Sequence, residues 1–216
     1  MDRDSIIART AEHVRARLSG EGSGHDWFHI ERVWKMASFL AGKEGGDRFV
    51  IELAALLHDI ADWKFSGDEK AGEREARAWL QHLGVDAGTV NHVCEIIAGL
   101  SFKGAGVPST MKTLEGMIVQ DADRLDAIGA IGIARAFAYG GYKHREMHNP
   151  SSTPTLHQSF EEYKNSNGTT VNHFYEKLLL LKDRMNTNTA RRLAQERHAF
   201  MEEFLQRFFN EWEGKA

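Results

Sequence analysis

The chain has 216 residues, 42% of them apolar and 27% charged. That length matches one domain of ordinary size, and the apolar share supplies a substantial core, which excludes bulk disorder. The 31 acidic residues against 27 basic ones leave a net charge of −4, which disfavours a broad grip on nucleic acid because such a grip needs many phosphate-neutralising Lys and Arg.

The first segment, Met1 to Thr10, carries Asp2, Arg3 and Asp4 and lacks the apolar stretch of a signal peptide. Ile7, Ala11, Val14 and Leu18 then recur at helical spacing and predict an amphipathic helix over 4–18, which stops in the Ser/Gly-rich turn 19–24. A second helix runs from Asp26, a natural N-cap, to Leu40 through Ile30, Val33 and Ala37, and Gly42 to Gly46 closes it. The third segment, about 47–59, is apolar enough for a buried strand. Its Leu and Ala content, without Val/Thr alternation, and its helical neighbours make it a helix. Helices follow over 69–83 and from Asp86 or Thr89 to about 98. The latter contains Cys94, whose solitary thiol excludes an intrachain disulfide and a four-thiolate zinc site and fits a reducing compartment. A Gly/Pro loop spans 101–110, helix resumes over about 111–139 and 170–212, and 141–168 is mostly loop around a short helix near 157–163. Loops of that length are usually lids or binding elements. No repeat, sustained heptad or β-rich block occurs, so the fold class is all-α, a helical bundle. No apolar run approaches the roughly 20 residues that span a bilayer, so a soluble cytoplasmic chain with no membrane partner is expected.

Chemistry concentrates in three helical segments. His29 lies in HDWFHIERVWKMA, His58 and Asp59 in AALLHDIADWKF, and Asp123 in VQDADRLDAIGAIG. Imidazole and carboxylate donors together suit Mn²⁺, Fe²⁺, Co²⁺, Ni²⁺ or Zn²⁺ and, less well, Mg²⁺. Neighbours such as His58 and Asp59 are turned about 100° apart on a helix, but at a helix end the backbone can bend so that both meet one ion. A lone histidine on an apolar segment is more often a hydrogen-bonded core residue. Here Asp59 follows directly, and two ionisable groups after AALL must face solvent or be paired. Asp121, Asp123 and Asp126 also fit a solvated face. Asp123, however, is in helical register with Ala127 and Ala130, beside Gly129 and Gly132, a flank suited to close helix packing.

The order His29, His58-Asp59, Asp123 resembles the HD-domain metal-dependent phosphohydrolase superfamily. HDWFHIERV at 25–33 and ADRLDAIGAIGIARAF at 122–137 share that likeness. SFKG at 101–104, TTVNHFYEKLLLLKDRMNT at 169–187 and RHAFMEEFL at 197–205 are similar to the small bacterial HD proteins related to a deoxynucleoside triphosphate pyrophosphohydrolase. The likeness spans roughly residues 5–213. It implies one HD-type helical domain over 1–216 whose C-terminal helices, about 170–212, pack on it and complete the substrate pocket. It implies His29, His58, Asp59 and Asp123 as ligands of one divalent ion, Mn²⁺ favoured, with His58, Asp59 and Asp62 as the catalytic group. Asp121 is the alternative fourth ligand; Asp123 is preferred because it directly precedes Arg124-Leu125. Asp62 stands four positions after the doublet histidine, where relatives carry an acid/base residue, commonly a longer glutamate. His82 and His92 are the histidines between the doublet and the last Asp, too few for a typical two-metal site.

Phosphoanhydride hydrolysis also needs cations for the nonbridging oxygens. Lys64, Lys103 and a face made by His173, Lys177 and Arg184 are the candidates, opposite an apolar face of Phe174, Leu178, Leu181 and Met185. His25, one turn before His29, is a candidate substrate contact or a capping residue. Phe200, Phe204, Phe208 and Phe209 read as core, whereas Tyr139, Tyr142 and Tyr163 near the long loop are candidates for touching a nucleobase or sugar. The expected activity is hydrolysis of a (deoxy)nucleoside triphosphate to monophosphate and pyrophosphate. A 5′-nucleotidase or phosphodiesterase on another small phosphorylated metabolite, or a noncatalytic nucleotide-binding module, is the alternative. No stable nucleic-acid partner is expected, and monomer and homodimer both fit.

Overall fold

The computed structural model describes residues 1–18, 26–60, 71–100, 109–156 and 168–215. Among these residues there is no strand. The elements are α1 (Arg3–Leu18), α2 (Trp27–Glu44), α3 (Arg48–Leu57), α4 (Ala71–His82), α5 (Ala87–Gly99), α6 (Leu114–Asp126), α7 (Gly129–Tyr142), α8 (Thr170–Glu176), a 3₁₀ helix (Leu178–Arg184) and α9 (Asn188–Trp212). The all-α expectation holds. No described helix is long and apolar enough to cross a membrane. The chain divides into two compact units whose boundary on α6 falls between Asp123 and Arg124.

In the first unit α3 is central, and α1, α2 and α5 pack against it. Every residue from Phe49 to Leu57 is buried, which is why this stretch reads as continuously apolar: a helix enclosed on all sides has no face to leave polar. Its neighbours bury stripes instead, Ile7, Thr10 and Val14 on α1, and Ile30, Val33, Ala37 and Leu40 on α2. Each fully buried Leu or Ile contributes about 1.5–3 kcal/mol relative to exposure. Thr10 does not break its stripe, because its hydroxyl donates to the Ile6 carbonyl and accepts from Trp79 Nε1 at 3.0 Å. The starts of α2, α3 and α5 are set by Asp26, Asp47 and Asp86, whose carboxylates accept from the His29, Phe49 and Thr89 backbone N–H groups. Such caps contribute about 1 kcal/mol each.

Cys94 lies in the packed face of α5, its thiol directed to the Glu73 carbonyl at 3.7 Å. Burial raises its pKa, and the thiolate is the reactive form. A maleimide or disulfide reagent should therefore modify native protein on the order of a hundredfold more slowly than denatured protein. Equal rates would place the thiol at the surface.

The second unit corrects two readings of the sequence. The helix expected over 111–139 is two helices. α6 ends at Asp126, the chain turns at Ala127 and Ile128, and Gly129 adopts φ +75 to start α7. Asp123 and Ala130 consequently lie on different helices. Gly132 matters because a Cβ there would meet the Ala127 carbonyl. The helix expected from 170 is also interrupted. Lys177 takes φ −142 and ψ −59, a 3₁₀ helix follows, and α9 begins after Thr187. His173, Lys177 and Arg184 therefore do not share one α-helical face. The apolar set behaves as expected: Phe174, Leu178, Leu181 and Met185 are all buried.

α9 packs on α7 and on the 3₁₀ helix. Phe137 sits among Phe174, Phe204 and Phe208, with ring centroids 5.9 to 6.4 Å away, contacts that contribute about 0.5–1.5 kcal/mol per pair beyond burial. Phe200, by contrast, is on the outer face of α9. Residues 143–156 are non-helical, as read, and are tied down where Thr170 and Val171 donate to the Glu146 and Met147 carbonyls. The short helix expected near 157–163, together with Tyr163, lies outside the described residues.

Candidate metal centre

His29 occupies the first turn of α2, in register with Val33 and Ala37, so its ring is carried into the core and is fully buried. The Asp26 carboxylate accepts the His29 backbone N–H at 2.9 Å, satisfying one of the unpaired donors of a helix start. The same contact fixes where His29 enters the unit. His58 is the residue at which α3 ends, and Ile60 N–H donates to the Leu57 carbonyl to close a tight turn. His58 itself keeps helical dihedrals, φ −60 and ψ −33, and the tight turn directly after it is where the adjacent side chains approach each other. His58 Nε2 and Asp59 Oδ2 are 3.6 Å apart.

The doublet meets His29. The two imidazole Nε2 atoms are 3.3 Å apart, and Asp59 Oδ2 is 3.5 Å from His29 Nε2. One donor atom from each of His29, His58 and Asp59 lies within 4.8 Å of the others. Asp123, in the last turn of α6, points its Oδ1 to the same place, 3.6 Å from His29 Nε2 and 3.9 Å from His58 Nε2. Asp121 is fully buried on the same helix.

The chemistry of these donors fits a divalent cation. His58 Nδ1 faces the Ala55 carbonyl at 2.8 Å, so that nitrogen carries the proton and donates. The Nε2 of the neutral ring then presents its lone pair to the cluster. A shared proton can bridge two of the converging atoms, whereas a metal ion accepts lone pairs from all four. Side-chain exposure rises from 0% at His29 and 3% at His58 to 17% at Asp59 and 34% at Asp123. The imidazole side is dry and the carboxylate side meets solvent, the arrangement that leaves room for a substrate oxygen or water. The Ala55 carbonyl orients the His58 ring. A backbone group that does this leaves no mark in the sequence, because any residue could supply it.

The remaining candidates are not part of this described cluster. His25, Asp62, Lys64 and Lys103 lie outside the described residues. His173 is on α8, Lys177 is at its C-cap, and Arg184 ends the 3₁₀ helix, all in the second unit. Burial lowers the Arg184 guanidinium from its ordinary pKa, and its carbonyl accepts from Arg124 Nη1. The Tyr139 and Tyr142 rings lie tilted to each other at 6.5 Å at the end of α7, with Lys143 Nζ over both.

Residues 27–128, which include all four converging side chains, match the family described as HD domain. The chain is 40% identical to "Uncharacterized protein YpgQ" of Bacillus subtilis (strain 168) over 193 residues, covering 89% of this chain and 86% of that protein. The crystal structure of an HD-superfamily hydrolase from Bacillus thuringiensis superimposes with TM-score 0.76 at 46% identity, covering 98% of this chain and 99% of that one. The crystal structure of Bacillus subtilis YpgQ in complex with ADP does so with TM-score 0.78 at 34% identity, covering 98% and 97%. With the ordered His/Asp set, its geometry and these near full-length likenesses in agreement, the chain belongs to the HD-domain metal-dependent phosphohydrolase superfamily, alongside small bacterial members such as YpgQ.

Proposed function

We propose that the chain hydrolyses (deoxy)nucleoside triphosphates to the monophosphate and pyrophosphate, using one divalent ion, Mn²⁺ before Co²⁺, Zn²⁺, Fe²⁺, Ni²⁺ or Mg²⁺. The observation that carries this reading is the convergence of His29, His58, Asp59 and Asp123 on one solvent-reachable point. The ADP held by YpgQ supports a nucleotide as the ligand class. His29, His58, Asp59 and Asp123 would hold the ion, whose positive charge, when bound, would polarise a phosphoryl oxygen and acidify an attacking water. The Ala55 carbonyl keeps the His58 ring in the tautomer that presents Nε2. Asp62 takes the proton of the attacking water. A triphosphate carries about four negative charges, more than one ion offsets, so His25, Lys64, Lys103, His173, Lys177 and Arg184 are assigned to its oxygens and to the leaving pyrophosphate.

Incubating the metal-loaded protein with a panel of nucleoside mono-, di- and triphosphates, and resolving the products by ³¹P NMR, tests the assignment. Equimolar monophosphate and pyrophosphate, abolished by chelator, is the expected result. Orthophosphate released from monophosphates would replace this reading with a 5′-nucleotidase. Saturable binding without turnover under Mn²⁺, Co²⁺, Zn²⁺ and Mg²⁺ would replace it with a binding module.

A further inference from the structure

The three residues that follow Asp123 on α6 are each fastened to a different element of the second unit. Arg124, buried, donates to the Arg184 carbonyl at the end of the 3₁₀ helix. Leu125 offers its carbonyl to Arg197 Nη1 of α9. Asp126, buried, accepts from Arg135 of α7 at 2.8 Å. The middle contact differs from the other two because it grips the helix backbone itself. The last carbonyls of an α-helix lack intrahelical partners, and the final turn is where helices fray. Leu125 O already accepts from Ile128 N–H at 3.3 Å in the tight exit turn, and Arg197 adds a charged donor to it.

Arg197 is also held in place. A Cβ on Gly129, at φ +75, would fall 2.9 Å from Arg197 Cγ, so the absence of a side chain there is what lets the arginine stem lie against the corner. Burial lowers the pKa of this guanidinium, opposed by the nearby charge of Asp126. Withdrawing a guanidinium from water is unfavourable unless its hydrogen bonds repay it, and the bond it makes is to the last turn of the helix that carries Asp123.

Taking Asp123 as a metal ligand, as proposed above, we infer that Arg197 is a positioning residue for the metal centre: by holding the Leu125 carbonyl it keeps the last turn of α6 wound and the Asp123 carboxylate directed at His29 and His58. Arg197 touches none of the ligands. Its effect travels through two residues of continuous helix.

The test is metal affinity of the metal-free full chain, titrated calorimetrically with Mn²⁺ and Co²⁺ at a temperature where circular dichroism shows each variant folded. Arg197→Met keeps the apolar stem over Gly129 and removes the donor; its affinity should fall about tenfold to a hundredfold, the range for outer-shell partners of metal ligands. Arg197→Lys, which retains a donor, should recover most of that loss. Arg197→Gln, too short to reach Leu125, replaces the methionine variant if that chain does not fold. In the Asp123→Ala background, Arg197→Met should cause little further loss, because both changes act on the same ligand. A folded Arg197→Met chain with wild-type affinity, or one whose loss adds fully to that of Asp123→Ala, overturns the inference while leaving Asp123 a ligand. Wild-type affinity in Asp123→Ala alone overturns the ligand assignment and the inference together.

Discussion

An Asp59→Ala chain is expected to lose stoichiometric divalent-metal binding and, with it, about a thousandfold or more of phosphohydrolase turnover. The size follows from the geometry. Asp59 Oδ2 lies within 3.6 Å of Nε2 of both His29 and His58, so its removal takes away the carboxylate nearest the imidazole pair. Loss of several kcal/mol of metal-derived transition-state stabilisation corresponds to a rate factor of that order. Asp59→Asn preserves shape but not charge and should follow alanine closely. The thermodynamic signature is separate from catalysis. A metal that binds the native state stabilises it by about 2.7 kcal/mol at a hundredfold excess over its Kd, so chelator should lower the melting temperature of the wild type and leave that of Asp59→Ala unmoved. Full turnover in the variant, or a chelator response equal to that of the wild type, would remove this cluster from the chemistry.

The largest effect on stability is expected at the corner between α6 and α7. Gly132→Ala introduces a methyl group onto the Ala127 carbonyl. Backbone cannot rotate away as a flexible side chain can, so the corner must open at a cost of about 3 kcal/mol. Gly141, later in α7, is the matched control: a Cβ there meets nothing within 4 Å. Alanine at that exposed helical position should stabilise by about 0.5–1 kcal/mol through helix propensity. Urea titrations of the two variants check the pair, and Gly132→Ala as stable as Gly141→Ala would mean that the corner tolerates opening. Because Asp123 lies in the turn just before this corner, Gly132→Ala should also weaken metal binding, whereas Gly141→Ala should not.

These expectations rest on features of unequal visibility in the sequence. The apolar stripes of α1 and α2 are legible because helical periodicity is a local property, carried by residues three and four apart. Asp26 and Asp86 are legible as caps for the same reason, since a cap acts on backbone two or three residues away. The end of α6 is not. Asp123, Ala127 and Ala130 keep a helical spacing across a point where the chain leaves the helix, and periodicity does not register that Gly129 adopts φ +75. The break at Lys177 escapes likewise, because the apolar residues on either side remain buried through an α-helix and a 3₁₀ helix alike. Arg197 in RHAFMEEFL gives no sign of its partner, a carbonyl 72 residues earlier.

The sequence by itself determined that the chain is helical and which faces are apolar, both of which depend on residue type and short spacing, while its resemblance to the HD superfamily implied which histidines and aspartates, in which order, would seek a metal. Tertiary structure decided that His29, His58, Asp59 and Asp123 share one point, which ring nitrogen of His58 faces it, and where α6 stops short of α7. Those outcomes depend on backbone carbonyls and on contacts between residues far apart in the chain, and neither leaves a local pattern for a sequence to carry.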